Sequence, residues 1–170
     1  MKPETASSTD RIEKKILLKA PLERVWRAIS DAQQFGYWFG VDFDGAFVEG
    51  RTLSGRIACT RVDAEVAEMQ RPYEGTPFAF RVESIEPMRR IAFRWHPYAI
   101  EKGVDYSQEP MTLIEFILAD ADGGILLTIS ESGFDRIPLA RRAQAFAAND
   151  GGWEAQTKLV AKFLALPENP

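Results

Sequence analysis

Between Val41 and Ser132 the chain passes through a series of short segments in which apolar and polar residues alternate. Gly, Pro or Asp cuts each one off: VDFDGAFVEG, TLSGRIACTR, TPFAFRVESI, RRIAFRWHP, MTLIEFILA and GILLTISES. Alternation with period two is the mark of a strand with one covered face. The breakers between the segments leave little room for crossover helices, which parallel neighbours require. Hairpin-joined strands therefore build an antiparallel sheet, and a doubly wound parallel architecture is excluded. DADGG, from Asp120 to Gly124, is a clear hairpin turn.

The flanks supply the helices. RIEKKILLKA alternates as a further strand, and in PLERVWRAIS the residues Leu22, Val25, Trp26 and Ile29 fall on one helical face. Pro21 suits the first helical position, and Glu23 complements the positive helix end. DAQQFGYWFG predicts a short second helix broken at Gly36 or Gly40. After Gly133 the pattern returns to helix, with Trp153, Val160 and Leu164 near helical spacing. Gly151 and Gly152 cost about 1 kcal/mol each if that helix is continuous; otherwise they mark its start or a close approach to the sheet. Residues 63–75 read as a strand extension followed by a loop, and residues 97–110 as a long rim loop. The fold class expected is α+β: a curved antiparallel sheet of six to seven strands around a long C-terminal helix, with two short helices after the first strand. Residues 1–10 read as a disordered lead-in and residues 11–166 as one domain. One helix does not cover a broad curved sheet completely, so a cavity between them is expected.

Charge and composition narrow the partners. The formal net charge is −4, and the basic pairs Arg89-Arg90 and Arg141-Arg142 are too short to make a basic stripe. Nucleic-acid binding is not expected. With one cysteine, Cys59, no internal disulfide forms; its place in an alternating segment predicts a small core residue. No apolar run approaches a membrane span, and the polar start lacks a signal core. The expected location is the cytoplasm.

Several segments in this order resemble one known family, the homologues of the activator of the heat-shock-90 ATPase, within the START-like (SRPBCC) superfamily. APLERVWRAISD (Ala20 to Asp31) is similar to the family's opening strand-to-helix joint, and Trp38 to its following tryptophan. VESIEPMRRIAFRW (Val82 to Trp95) resembles its central hairpin, and GGILLTISESGF (Gly123 to Phe134) its last strand and exit turn. GGW (Gly151 to Trp153) resembles the glycine–tryptophan pair of its terminal helix. The resemblance covers nearly the whole chain after Asp10 and implies a helix-grip fold with an internal cavity. It does not imply one activity, because members resemble ligand carriers, small-molecule enzymes, toxin-sequestering proteins and co-chaperones. The eukaryotic co-chaperones carry a separate chaperone-binding domain, for which this sequence leaves no room. Stimulation of a chaperone by this chain alone is not expected.

The candidate site follows from strand parity, with the inward side of the Leu127 strand taken from where the resembled family's apolar positions fall. Ile91, Phe93 and Trp95 share one face of their strand, and Leu127, Ile129 and Glu131 one face of another. Together with Trp38 they are the expected lining of an apolar cavity. Trp38 and Trp95 serve as core or as pocket; Trp26 and Trp153 are expected to be core anchors. A carboxylate at Glu131 on the inward face would be desolvated, its pKa raised, and able to exchange a proton. The reading preferred from the sequence is that the strand is ending and Glu131 lies at the rim, in water or paired with an arginine. His96 is the only histidine, so a histidine–cysteine metal site is unsupported. No GxSxG elbow, P-loop or GxGxxG fingerprint is present, and no metal or cofactor is expected. The first functional reading is a binding protein for a small, mainly apolar molecule. The second is an enzyme, cyclase- or hydrolase-like, in the same cavity with Glu131 or His96 as acid or base; the third is a co-chaperone or other interaction protein.

Overall fold

The computed structural model describes residues 9–167. Residues 1–8 of the expected disordered lead-in lie outside the described residues. Thr9 and Asp10, at its end, form a turn held to residues 133–135: Gly133 N–H donates to the Asp10 carbonyl, and the Thr9 hydroxyl donates to Asp135 Oδ1 at 2.8 Å.

The chain begins with β1 (Arg11–Leu18), followed by α1 (Leu22–Ser30) and α2 (Ala32–Phe39). The strands β2 (Val41–Phe43) and β3 (Thr52–Ile57) follow, then a short helix α3 (Ala64–Gln70). The strands β4 (Pro77–Glu86), β5 (Arg90–Trp95), β6 (Thr112–Ala121) and β7 (Gly124–Ser132) lead into α4 (Leu139–Ala165). All seven strands form one antiparallel sheet in the order β1-β7-β6-β5-β4-β3-β2. The helix-grip α+β architecture read from the sequence is the one observed.

Local chemistry explains the element ends. Pro21 precedes α1 as its cap residue and is not its first helical residue. The Asp31 side chain accepts from the Gln33 and Gln34 N–H groups and starts α2. Gly40 ends α2 at φ +97°, a backbone state that glycine reaches without steric cost. Gly36 does not break α2. It lets the helix lie against β2, for a Cβ there would stand 2.1 Å from the Val41 carbonyl oxygen.

Two expectations are corrected. Residues 64–70 form α3 and not a strand extension: the Asp63 carboxylate accepts from Val66 N–H and caps it. No residue of α3 is buried, so it carries no apolar stripe for sequence periodicity to detect. Cys59 lies beyond the end of β3, only partly buried, with its thiol donating to Glu74 Oε2 at 3.3 Å. It is not a core residue.

The core lies between the concave sheet face, α1 and α2, and the C-terminal half of α4. The ring of Phe35 is its hub, with Phe47, Phe80, Phe93 and Phe116 at 5.7, 5.8, 5.8 and 5.6 Å. Trp26 and Trp153 are buried, as the sequence led one to expect. Gly151 and Gly152 sit inside a continuous α4, and a Cβ at either meets nothing within 4 Å. They neither start the helix nor permit a close approach. Arg24 of α1 closes the far end of α4, donating to the carbonyls of Leu164 and, at 2.7 Å, Leu166.

Candidate ligand site

Strand parity carries the candidate residues inward. The pairs Phe93↔Ile114 and Ile114↔Glu131 set one cross-strand row over β5, β6 and β7, and Ile91↔Phe116 and Phe116↔Ile129 set the next. Glu131 therefore continues the apolar face of β7, and it is completely buried. The rim reading for Glu131 does not hold, nor is an arginine its partner.

Four donors converge on this carboxylate. Oε2 accepts from Trp95 Nε1–H at 2.6 Å and from the Thr112 hydroxyl at 2.5 Å. Oε1 accepts from Trp153 Nε1–H at 2.7 Å and from Asn149 Nδ2 at 2.9 Å. The two indoles can only donate, so an acceptor of this shape is what they require. Burial raises the pKa of Glu131 above the ordinary carboxylate value, and the hydrogen bonds from Thr112, Trp95, Trp153 and Asn149 oppose that rise. The group ties β5, β6 and β7 to α4 at the point where the sheet opens.

Beside this knot the structure is hollow. A pocket of about 1080 Å³ opens between the ends of α2 and α3, the strands β3 and β4, the loop after β5, and α4. Phe39, Val41, Ile57, Phe78 and Trp95 give it apolar walls. Its polar lining includes the charged Glu74, Glu101 and Lys102 as well as His96, Asn149 and Gln156. A recess of about 70 Å³ adjoins it, lined by Phe39, Trp95, Asn149, Gly152, Trp153 and Gln156.

The loop after β5 forms one wall through Tyr98 to Val104, Tyr106 and Ser107. It is latched to α4 by Arg141, which donates to the Pro97 carbonyl at 2.8 Å and to Glu109 Oε1 at 2.5 Å. The guanidinium also lies 4.8 Å from the centre of the Tyr106 ring. His96 Nε2 lies 3.1 Å from the Glu109 carbonyl oxygen, at the base of the same loop. On the other side, Lys162 of α4 pairs with Asp63 at 2.5 Å and holds the start of α3.

Of the seven residues expected to line the cavity, Trp95 lines both hollows. Glu131 stands behind their wall, bonded to three residues that line them, Trp95, Asn149 and Trp153. Ile91, Phe93, Leu127 and Ile129 are fully buried and are not among the lining residues of either hollow. The physical reason is the aromatic cluster: Phe80 stacks on Phe93 at 4.5 Å and Phe47 lies 4.9 Å from it, which fills the centre of the concave face. Trp38 is likewise buried in the core, its indole N–H donating to the Ala28 carbonyl at 2.9 Å. The hollow lies instead toward β3 and β4. Sequence reasoning missed Phe39, Asn149 and Gln156. Asn149 and Gln156 lie seven positions apart on α4, two turns along one face, a spacing that was legible in the sequence.

Among the described residues no group of three or more His, Cys, Asp or Glu side chains is placed to hold a metal ion, and no helix is long and apolar enough to cross a membrane.

Comparison with known proteins adds the following. The sequence model of the family described as Activator of Hsp90 ATPase homolog 1-like protein matches residues 19–165. A search of the curated proteins finds no match. Among solved structures, protein MLL2253 from Mesorhizobium loti is similar over 94% of this chain and 99% of its own, with a TM-score of 0.67 and 16% identity. The Aha1 dimer from Colwellia psychrerythraea is similar over 94% of this chain and 98% of its own, with a TM-score of 0.64 and 17% identity. DynU16, a protein in the dynemicin biosynthetic locus, gives a TM-score of 0.63 and 22% identity over 92% of this chain; the chain spans 47% of its length. At such identities the likeness shows a shared fold.

Proposed function

The chain belongs to the family of Activator of Hsp90 ATPase homolog 1-like proteins, and from that premise we propose that it binds a small, mainly apolar molecule in the pocket between β3, β4, α4 and the loop after β5. The observation that carries this reading is the pocket itself. Its volume of about 1080 Å³ is slightly above the range common for small-molecule sites. Apolar walls with a few polar groups are the usual composition of such sites. Burial of ligand surface against these walls contributes about 25 cal/mol per Å² before the costs of association. The Arg141 latch makes the loop after β5 the natural gate.

Glu131 lines neither hollow, and each of its oxygens already accepts two hydrogen bonds. That supports an anchoring role for it, holding Trp95 and Asn149 in place, over a role as catalytic acid or base.

The test uses Nile red, a hydrophobic dye whose emission rises in apolar surroundings. Saturable binding is expected to the wild-type protein. Ala148 lines the pocket from α4 and is only partly buried. The substitution Ala148→Trp is expected to weaken dye binding about tenfold or more, with the thermal midpoint kept. Absence of saturable binding, or equal affinity in the blocked variant, refutes the reading.

A further inference from the structure

We infer that the ligand of this pocket carries a hydrogen-bond donor, a hydroxyl or an N–H, on its apolar body, and that Gln156, seconded by Asn149, selects it. The inference rests on the pocket reading above and adds the chemistry of the recess.

Gln156 lines both hollows. Its Nε2 donates to the Phe39 carbonyl at 3.2 Å. A carbonyl oxygen only accepts, so the amide is fixed with its nitrogen toward Phe39 and its oxygen turned away. That oxygen is shielded from solvent and accepts no hydrogen bond from any described residue. Buried acceptors in native proteins are nearly always satisfied, so an orphan at a pocket wall marks where a donor belongs.

Asn149 repeats the pattern two turns earlier on α4. Its Nδ2 is committed to Glu131 Oε1 at 2.9 Å, which leaves its Oδ1 as the acceptor that Glu131 does not engage. Each amide thus commits one of its two N–H groups to the protein. The indole N–H groups of Trp95 and Trp153, which also border the recess, are likewise spent on Glu131. The atom beside the recess that lacks any partner is an acceptor, the Gln156 oxygen. A hydroxyl or N–H satisfies that oxygen; an ether cannot, and a carboxylate brings only further acceptors, with Glu131 behind the wall.

Size agrees with this division. About 70 Å³ holds a polar head but not a whole ligand, and the adjoining 1080 Å³ takes the body. Gly152 borders the recess without adding a side chain to it.

The experiment is displacement of Nile red by three compounds of one shape: para-cyclohexylphenol, its methyl ether and para-cyclohexylbenzoate. The phenol is expected to bind about tenfold tighter than the ether, the factor that a newly satisfied buried acceptor supplies. The benzoate is expected to bind weakest. In Gln156→Leu the phenol-to-ether ratio is expected to fall to near one, with the ether's affinity kept; Gln70, whose Nε2 also donates to the Phe39 carbonyl, still satisfies that group. Should that variant fail to fold, Gln156→Met makes the same comparison. Equal binding of phenol and ether to the wild type, tightest binding of the benzoate, or a ratio that survives removal of the amide overturns this inference and leaves the pocket reading standing. Nile red that fails to bind at all sinks both.

Discussion

Replacing Glu131 by Gln keeps the shape of the buried side chain and removes its ability to ionise. The amide oxygen can still accept from Trp153 and Asn149, as Oε1 does now. The amide nitrogen then faces Trp95 Nε1–H and the Thr112 hydroxyl. The hydroxyl can turn and accept, but the indole cannot, so one buried donor loses its partner at a cost of about 1–3 kcal/mol. That cost appears undiluted at acid pH, where the wild-type carboxyl is neutral in both folded and unfolded chains. Because the pKa of Glu131 is raised in the folded protein, its contribution is fully present below the unfolded value and is lost as pH rises through the folded value. Between the two, wild-type stability falls relative to the variant by up to about 1.4 kcal/mol per pH unit. The advantage of wild type over Glu131→Gln is therefore largest near the acid limit of folding and shrinks toward neutrality. Urea unfolding of both proteins in steps from about pH 4 to pH 8, around the ordinary carboxylate range, measures this difference. Other carboxylates act equally in both proteins and cancel: those lowered in the fold, Asp63, Glu86 and Asp105, lose stability as pH falls. A stability difference that stays constant with pH, or that grows toward neutrality, refutes the argument.

Two further outcomes follow from the packing. Gly36→Ala gains about 1 kcal/mol of helix propensity but sets a methyl group 2.1 Å from the Val41 carbonyl oxygen; the clash is backbone, so a net loss of about 1–3 kcal/mol is expected in chemical denaturation, and a stabilised variant would contradict the α2–β2 contact. Arg141→Ala removes the ties to Pro97, Glu109 and Tyr106, so limited proteolysis within residues 98–107 is expected to quicken while the thermal midpoint shifts little, and unchanged cleavage would show that the latch does not hold the loop.

The strands and the long helix were legible because each carries a period. The apolar face Ile125, Leu127, Ile129 has a step of two and Glu131 continues it, but parity alone does not tell a buried strand end from a rim. The fate of Glu131 was not legible, because its four donors come from β5, β6 and α4 and meet only when the sheet is assembled. The position of the hollow was hidden for a related reason. Parity tells which residues face inward, but whether inward means lining or filled depends on rings from distant segments. Phe35 and Phe47, neither on the strand of Phe93, occupy the space in front of it. Exposed α3 offered no periodic signal, and its one clue was the capping Asp63.

The strand order has a consequence for how the chain reaches this state. β1 lies at one edge of the sheet and pairs only with β7, Arg11 opposite Ser132, while β2 closes the other edge. The neighbours from β2 through β7 follow one another in sequence, so each pair can zip up as soon as it leaves the ribosome. β1 is made first and placed last: its buried Ile12 and Leu18 wait without a covering surface until the final hairpin exists. Its docking closes the longest loop in the molecule, a step whose entropic cost falls before any pairing rewards it. During synthesis the oldest strand is thus the most exposed to wrong partners, and Lys14 and Lys15 within it are the kind of charges that discourage such pairing.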